Sequence, residues 1–209
     1  MKLYIYEHCP FSARVRYVAG MLNITLAVIY LTYDNEKTTY DLIGAKQVPL
    51  LIKDDGDVLA ENLDIIHYFI ELAKYNDTVE ISKAVFDWQK AAFCSLQKIG
   101  YPRWSHMDLP EFETYSARKA WQAKNESDEL NFDKLVQDTP NIASDVESLI
   151  KQARTLLLLE ASQPVRLIDA AIIFSILRSF FSAPEIQWDQ TVKDWMESAS
   201  VNTHVSLLK

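Results

Sequence analysis

The chain has 209 residues, 49% of them hydrophobic and only four glycine, which is enough apolar material for one large or two small packed domains and favours helix. Its net charge of −8 argues against nucleic acid as the main partner, because phosphate binding needs a basic surface. Two cysteines supply neither a disulfide framework nor a zinc cluster, so no metal is expected and a reducing cytoplasm is the expected location.

Met1-Lys2 runs straight into a strand-like segment without the shape of a signal peptide. Lys2–Tyr6 reads as that strand. The pattern turns helical from about Ser12 to Met21, with Val15, Val18 and Leu22 at helix spacing and Gly20 near the end. TLAVIYL at 25–31 is nearly continuous apolar sequence and predicts a buried strand. Residues 36–43 predict a short helix closed by Gly44. VPLLIK at 48–53 is a further strand, DDGD at 54–57 a hairpin turn, and VLA at 58–60 the returning edge. From Asn62 a helix sets Ile65, Ile66, Phe69, Ile70 and Ala73 on one face. The order β-α-β-α-β-β-α predicts a mixed sheet with helices on both faces, a thioredoxin-type layout.

After a polar stretch at 75–82, no convincing strand appears. Ile81, Val85, Trp88, Ala92, Leu96 and Ile99 mark a long helix, and 114–131 and 140–161 carry further helical patterns. LIDAAIIFSILRSFF at 167–181 is apolar nearly all round and predicts the central helix of a bundle. A last helix holds Val192, Trp195, Met196 and Ala199. All five tryptophans lie in this half, which suits a core of large side chains. The longest apolar stretch, AAIIFSIL at 170–177, is far short of the roughly 18–20 residues a membrane span needs, so no membrane is expected.

The chemistry concentrates in HCPFSAR at 8–14. Cys9 follows a predicted strand and precedes a predicted helix, and Pro10 suits the first helical turn, where its missing N–H costs nothing. The free N–H groups of that turn and the helix dipole favour thiolate over thiol. The bland alternative is a buried structural cysteine, but His8, Pro10 and Ser12 suit a surface turn, which predicts a reactive, exposed Cys9. Ser12, one turn on, adds a hydroxyl to the thiolate. A thiolate attacks a disulfide and forms a mixed disulfide. A thiol at position 12 would resolve that bond within the chain, and Ser12 does not. An external thiol must finish the cycle, and glutathione is the abundant one in a cytoplasm.

The segments MKLYIYEHCPFSARVR, GAKQVPLLIKDD and AENLDIIHY, with NFDKL at 131–135 and VNTHVSLL near the end, resemble the glutaredoxin 2 family. Those are two-domain glutaredoxins with the glutathione transferase fold. The resemblance implies an α/β thioredoxin-like N-terminal domain (1–74), a linker (75–82) and an all-α C-terminal domain (83–209). It implies glutathione as co-substrate, glutathionylated or small disulfide substrates, and a monomer. The family usually carries Cys-Pro-Tyr-Cys, where this chain has Cys-Pro-Phe-Ser, so Cys9 and Ser12 are expected to work by a monothiol route. Val48-Pro49 matches the family's cis-proline turn, which offers backbone to glutathione like an added strand. Glu61-Asn62 matches the pair at the next helix start, where the γ-glutamyl carboxylate meets free N–H groups and the Glu61 side chain meets the ligand's ammonium. Asn62 also reads as a plain helix cap. Pro10 and Phe11, with Tyr6, wall the pocket in this reading.

Two alternatives stand beside it. The same motif is similar to that of dehydroascorbate reductases and omega-class transferases, which share the fold and use one cysteine. A non-catalytic glutathione-binding module, or one holding an iron–sulfur cluster through Cys9, belongs to another class. Pro10 sits where cluster-binding monothiol glutaredoxins usually carry Gly. Of the remaining residues, Cys94 reads as a small core hydrophobe. Asp169 reads as a structural cap. His8 is equally a solvated histidine or one that tunes Cys9, and Arg103, Lys119, Lys124 and Lys151 are candidates for a basic cleft between domains.

Overall fold

A computed structural model of the chain describes residues 1–158 and 165–209. Four strands, β1 (Lys2–Ile5), β2 (Ala27–Tyr30), β3 (Leu50–Ile52) and β4 (Val58–Leu59), form one sheet in the order β2-β1-β3-β4. β1 runs parallel to β2 and antiparallel to β3, and β3 antiparallel to β4. Alternation along β1 sends Leu3 and Ile5 into the core, both fully buried. Around the sheet lie α1 (Pro10–Met21), α2 (Lys37–Ile43) and α3 (Asn62–Leu72). Gly44, at φ 70°, ends α2 in the left-handed conformation its position demands. The DDGD segment turns through Gly56 at φ 93°, as the hairpin reading requires. The small mixed sheet is the thioredoxin-like domain expected from the element order.

One strand differs from its sequence reading. β2 is an edge strand: Ala27 and Tyr30 are exposed, and Val28 and Ile29 only half-buried. An apolar run of this length reports affinity for a sheet. It does not report how many neighbours the strand will have. Gly20 lies near the end of α1, as read from the sequence: the helix continues to Met21 and the chain reverses at Asn23, φ 54°. Ala73, expected on the buried face, caps α3 in solvent.

The second half is helical: α4 (Lys83–Trp104), α5 (Tyr115–Asn125), α6 (Phe132–Gln137), α7 (Thr139–Leu156), α8 (Leu167–Phe180) and α9 (Gln190–Thr203), with a 3-10 turn at Pro110–Phe112. Every residue of α8 is buried, so it is the bundle's central helix, as its all-round apolarity predicts. The 114–131 pattern breaks at Glu126, and α6 follows with Asn131 as its cap. Six residues are too few turns to write a helical period in sequence. Positions 159–161 of the pattern read over 140–161 lie outside the described residues. Ser82, Thr114 and Asp189 cap α4, α5 and α9 by accepting N–H groups of the first turn.

The two halves meet along α1, which packs against α8 and α9 as well as α3. Arg178 of α8, fully buried, donates to the Glu7 carbonyl at 2.7 Å, to Glu7 Oε1 at 2.5 Å and to the Ser206 carbonyl at 2.8 Å. Arg16 takes the other Glu7 oxygen at 2.5 Å. The 75–82 stretch is tied to the start of α8. Arg166 donates to Thr78 Oγ1 at 2.9 Å and to the Glu80 carbonyl, and Asp169 Oδ1 accepts the Ser82 N–H at 3.1 Å. Asp169 is therefore structural, as read from the sequence.

At the seam, a Cβ on Gly20 would stand 2.6 Å from Thr203 Cα and 2.7 Å from its carbonyl oxygen. Both are backbone, so neither can rotate away. Gly20→Ala is expected to force α1 and α9 apart and to destabilise the protein by about 1–3 kcal/mol, the usual cost of overpacking. A urea unfolding midpoint compared with wild type checks it. An unchanged midpoint would mean the seam is looser than described.

Candidate active site

The chain leaves β1 and turns at once, with the Cys9 N–H bonded to the Tyr6 carbonyl at 3.3 Å. Cys9 is the N-cap of α1, with extended backbone (φ −66°, ψ 120°), and Pro10 fills the first helical turn. That much follows the sequence. The exposure does not. Cys9 is only 8% exposed, His8 5% and Ser12 0%, so the expected surface turn is instead a buried one. The reason is the helical domain. Phe93, Leu96, Tyr101 and Trp104 from α4 and Trp121, Lys124 and Asn125 from α5 stand over the turn. With Tyr6, His8, Cys9, Pro10, Phe11, Tyr33, Lys46, Gln47 and Val48 they enclose a cleft of about 330 Å³. Tyr6, His8, Cys9, Pro10 and Phe11 form its floor.

Burial changes the thiol. It pushes Cys9 above the ordinary value of 9.0. The N–H groups of Ser12 and Phe11, the Ser12 hydroxyl and the Arg14 charge all act the other way without cancelling it. Burial thus opposes the depression that the helix start, Ser12 and Arg14 favour. The Ser12 hydroxyl is buried and forms no hydrogen bond of ordinary geometry, so it acts on the sulfur as a nearby dipole. Arg14 is almost wholly buried. It bonds Gln89 Oε1 on α4 at 2.8 Å and, at 3.4 Å, Asn62 Oδ1. Burial pushes its pKa down to about 10, with Cys9 acting in the opposite sense.

His8 is enclosed on several sides. Its Nδ1 lies 2.6 Å from Glu111 Oε1, and its backbone N–H reaches the same oxygen at 2.8 Å. Trp121, Trp104, Phe112, Tyr6 and Tyr33 surround the ring, with centroids 4.7 to 6.2 Å away. Burial pushes the Glu111 carboxyl up, but the hydrogen bonds and charge of His8 outweigh it and hold the group below its ordinary value. The reading of His8 as solvated is excluded.

The residues singled out in sequence divide into two sets. Cys9, Pro10, Phe11 and Val48 line the cleft; Ser12, Pro49, Glu61 and Asn62 do not. Val48-Pro49 is a cis peptide, and Val48 lies beyond the residues through which β3 pairs with β1. Glu61, at φ 59°, starts α3 and is joined to the cleft wall by Gln47, whose Nε2 donates to its Oε1 at 2.8 Å. Of the four basic residues considered for a cleft, only Lys124 lines it. Arg103 is spent on Thr139 and the Ile99 carbonyl, Lys119 bonds Gln122, and Lys151 is exposed on α7. Cys94 is not a core hydrophobe. It is exposed on α4, and its neighbour Phe93 turns into the cleft and meets Phe11 at 6.1 Å.

Sequence reasoning missed Lys46, Gln47, Tyr33, Tyr101, Trp104, Trp121, Asn125 and Glu111. Trp104 is set by Gly100, one turn earlier, where any Cβ would fall 2.3 Å from the indole. That glycine in mid-helix was the one signal available. Among the described residues no group of three or more His, Cys, Asp or Glu could hold a metal ion, and no helix is long and apolar enough to cross a membrane.

Comparison with known proteins bears on the family and the fold. The family model for the C-terminal domain of glutaredoxin 2 matches residues 84–209, and that for the N-terminal domain of glutathione S-transferase matches 3–77. Glutaredoxin 2 of Escherichia coli (strain K12) is 30% identical, over 100% of this chain and 98% of its own. The crystal structure of glutaredoxin 2 from Salmonella typhimurium in complex with glutathione superposes with a TM-score of 0.88 at 28% identity, covering 99% of this chain and 96% of that one. Gtt2 from Saccharomyces cerevisiae, at 14% identity and a TM-score of 0.60 over 96% of each chain, shares the fold.

The pKa direction gives a measurable consequence. Because the Cys9 thiol is raised, its alkylation by iodoacetamide is expected to be slow at neutral pH and to climb only above about pH 9. Ser12→Ala removes a group that lowers the thiol, so its profile is expected to shift further up. Peptide mapping of the carbamidomethylated protein separates Cys9 from exposed Cys94. A Cys9 profile centred near neutrality, or a downward shift in Ser12→Ala, would contradict this electrostatic account.

Proposed function

The chain belongs to the glutaredoxin 2 family, and from that premise we propose that it is a glutathione-dependent thiol–disulfide oxidoreductase acting on glutathione mixed disulfides through Cys9 alone. One observation carries the monothiol part: the cleft holds one cysteine, the position one turn on is Ser12, and the other thiol, Cys94, is outside. The Cys9 thiolate attacks the glutathione sulfur of the substrate disulfide. The Cys9–glutathione bond forms, the old disulfide breaks, and its electron pair leaves with the substrate thiolate. A second glutathione thiolate attacks the Cys9-bound glutathione, giving oxidised glutathione and free Cys9.

Glutathione lies along the thioredoxin-like wall in this reading. Val48 stands beyond the β1–β3 pairing, which supports reading its backbone as the partner of the cysteinyl unit in an added strand. The γ-glutamyl carboxylate meets the first N–H groups of α3 at Asn62, and Glu61 faces the ammonium. Pro10 and Phe11 form the near side, and Pro49 fixes the turn. Lys46, which lines the cleft, supplies a cation for an anionic ligand. The leaving thiol occupies the aromatic wall from α4 and α5. It comes from a small thiol or a glutathionylated protein. A monomer in a reducing cytoplasm is part of the proposal, and both cysteines being free supports that location.

A coupled assay with glutathione, glutathione reductase, NADPH and the mixed disulfide of glutathione with 2-mercaptoethanol tests the reading. Wild type and Cys94→Ser are expected to turn over alike, and Cys9→Ser to lose at least about a hundredfold, as removal of a nucleophile should. Turnover surviving in Cys9→Ser, or a silent wild type, would refute it.

A further inference from the structure

Arg14 is a buried cation that the exchange reaction leaves unused. It is only 3% exposed, yet its hydrogen bonds go to neutral groups, Gln89 Oε1 on α4 at 2.8 Å and Asn62 Oδ1 on α3 at 3.4 Å. Its Nε is buried without a hydrogen bond. Among the described residues no Asp or Glu pairs with it. A buried charge without a counter-charge is costly, so its presence calls for an anion close by.

The start of α3 is where such an anion fits. Glu61 is the N-cap, but no side chain caps the turn. The first helical bond runs from the Ile65 N–H to the Glu61 carbonyl, which leaves the N–H groups of residues 62–64 without protein partners among the described residues. Arg14 also fixes how Asn62 sits there. A guanidinium donates and never accepts, so Asn62 must give its amide oxygen to Arg14, and its Nδ2 stays free to donate elsewhere. The guanidinium lies 5.0 Å from the ring centre of Phe11, which lines the cleft, so Arg14 joins the cleft wall to the start of α3.

We propose that Arg14 is the positioning residue of the γ-glutamyl subsite: it holds Asn62 with its amide NH2 free for the ligand's α-carboxylate, and it supplies the positive charge that this carboxylate balances. Gln89 anchors the guanidinium from α4, so the helical domain takes part in selecting γ-glutamyl thiols. The inference rests on the glutathione reading above and adds to it the residue that sets carboxylate selectivity. Cys9 is the other negative group that acts on Arg14, so the test must separate an effect on the carboxylate from an effect on the thiol.

Calorimetric titration with two ligands that cannot exchange tests this without turnover: S-methylglutathione, and the same compound lacking the γ-glutamyl α-carboxylate. Wild type is expected to bind the first about ten- to a hundredfold tighter, the range for a hydrogen bond to a charged group. Arg14→Met keeps an apolar side chain of similar reach and removes the charge, and it should cut that ratio about tenfold. Gln89→Glu sets a carboxylate against Arg14 and should cut the ratio as well, although an ion pair there would hold the guanidinium more firmly. A merely structural role, or one acting through Cys9, would change both affinities alike and leave the ratio standing. A wild type without the preference, or a ratio unmoved in either variant, overturns the proposal. Should Arg14→Met fail to fold, Gln89→Glu, at a half-buried position on α4, decides the matter. Wild type that binds neither ligand would sink the glutathione reading together with this one, whereas binding with an unmoved ratio sinks only the role of Arg14.

Discussion

Two consecutive residues, Glu7 and His8, are each held by a charged partner from the helical domain, and the geometry of the site depends on that double tether. Glu7 is gripped by Arg178 of the central helix, His8 by Glu111 of the 3-10 turn. Both partners are fully buried. Together they fix the backbone that delivers Cys9, and they do so from outside the domain that carries it. The thioredoxin-like sheet supplies the turn, and the helical bundle sets where it points. Removing Glu7 or His8 would leave Arg178 or Glu111 a buried charge without its side-chain partner, a loss that costs about 3–5 kcal/mol.

Enclosure also decides the state of the thiol. A helix N-terminus favours a negative charge by about 0.3–1 kcal/mol at the surface, which is less than one pKa unit. Full burial raises a thiol by up to about 3–5 units. The larger effect wins, so the N-cap position alone does not make Cys9 a thiolate. This is why a helix-start argument that succeeds for an exposed cysteine fails here. Whatever ionises Cys9 must come from its immediate neighbours or from the ligand that fills the cleft.

Most of the fold was legible because its signals are local. The strand at Lys2–Ile5, the DDGD turn, Gly44 at the end of α2 and the all-round apolarity of α8 each follow from a few adjacent residues. The Cys9 N-cap with Pro10 behind it was legible for the same reason. What escaped depends on contacts between distant segments. The edge position of β2 is set by strand order, and Gly20 is needed only because Thr203 lies against it. Cys94 and Phe93 are adjacent, and a small rotation of α4 puts the apolar ring in the cleft and the thiol in solvent. Glu111 had no signal at all, since nothing in Pro110–Phe112 shows that its carboxylate reaches His8, 103 residues away.

That separation bears on why the buried charges are there. A well-packed apolar pair in place of a buried ionic or hydrogen-bonded one is often neutral or stabilising, so stability alone is a weak reason to place the Glu7–Arg178 ion pair and the His8–Glu111 hydrogen bond side by side. Apolar packing, however, is non-directional and would tolerate rotation of the turn. Hydrogen bonds near 2.5 to 2.8 Å from fixed helices do not. Sulfur exchange requires an approach along the breaking bond, and a misplacement of about 1 Å is costly even far from the chemistry. A single-cysteine site has no second thiol to capture a poorly aligned intermediate. Its selectivity must therefore reside in the alignment of one sulfur, and the paired tethers supply it.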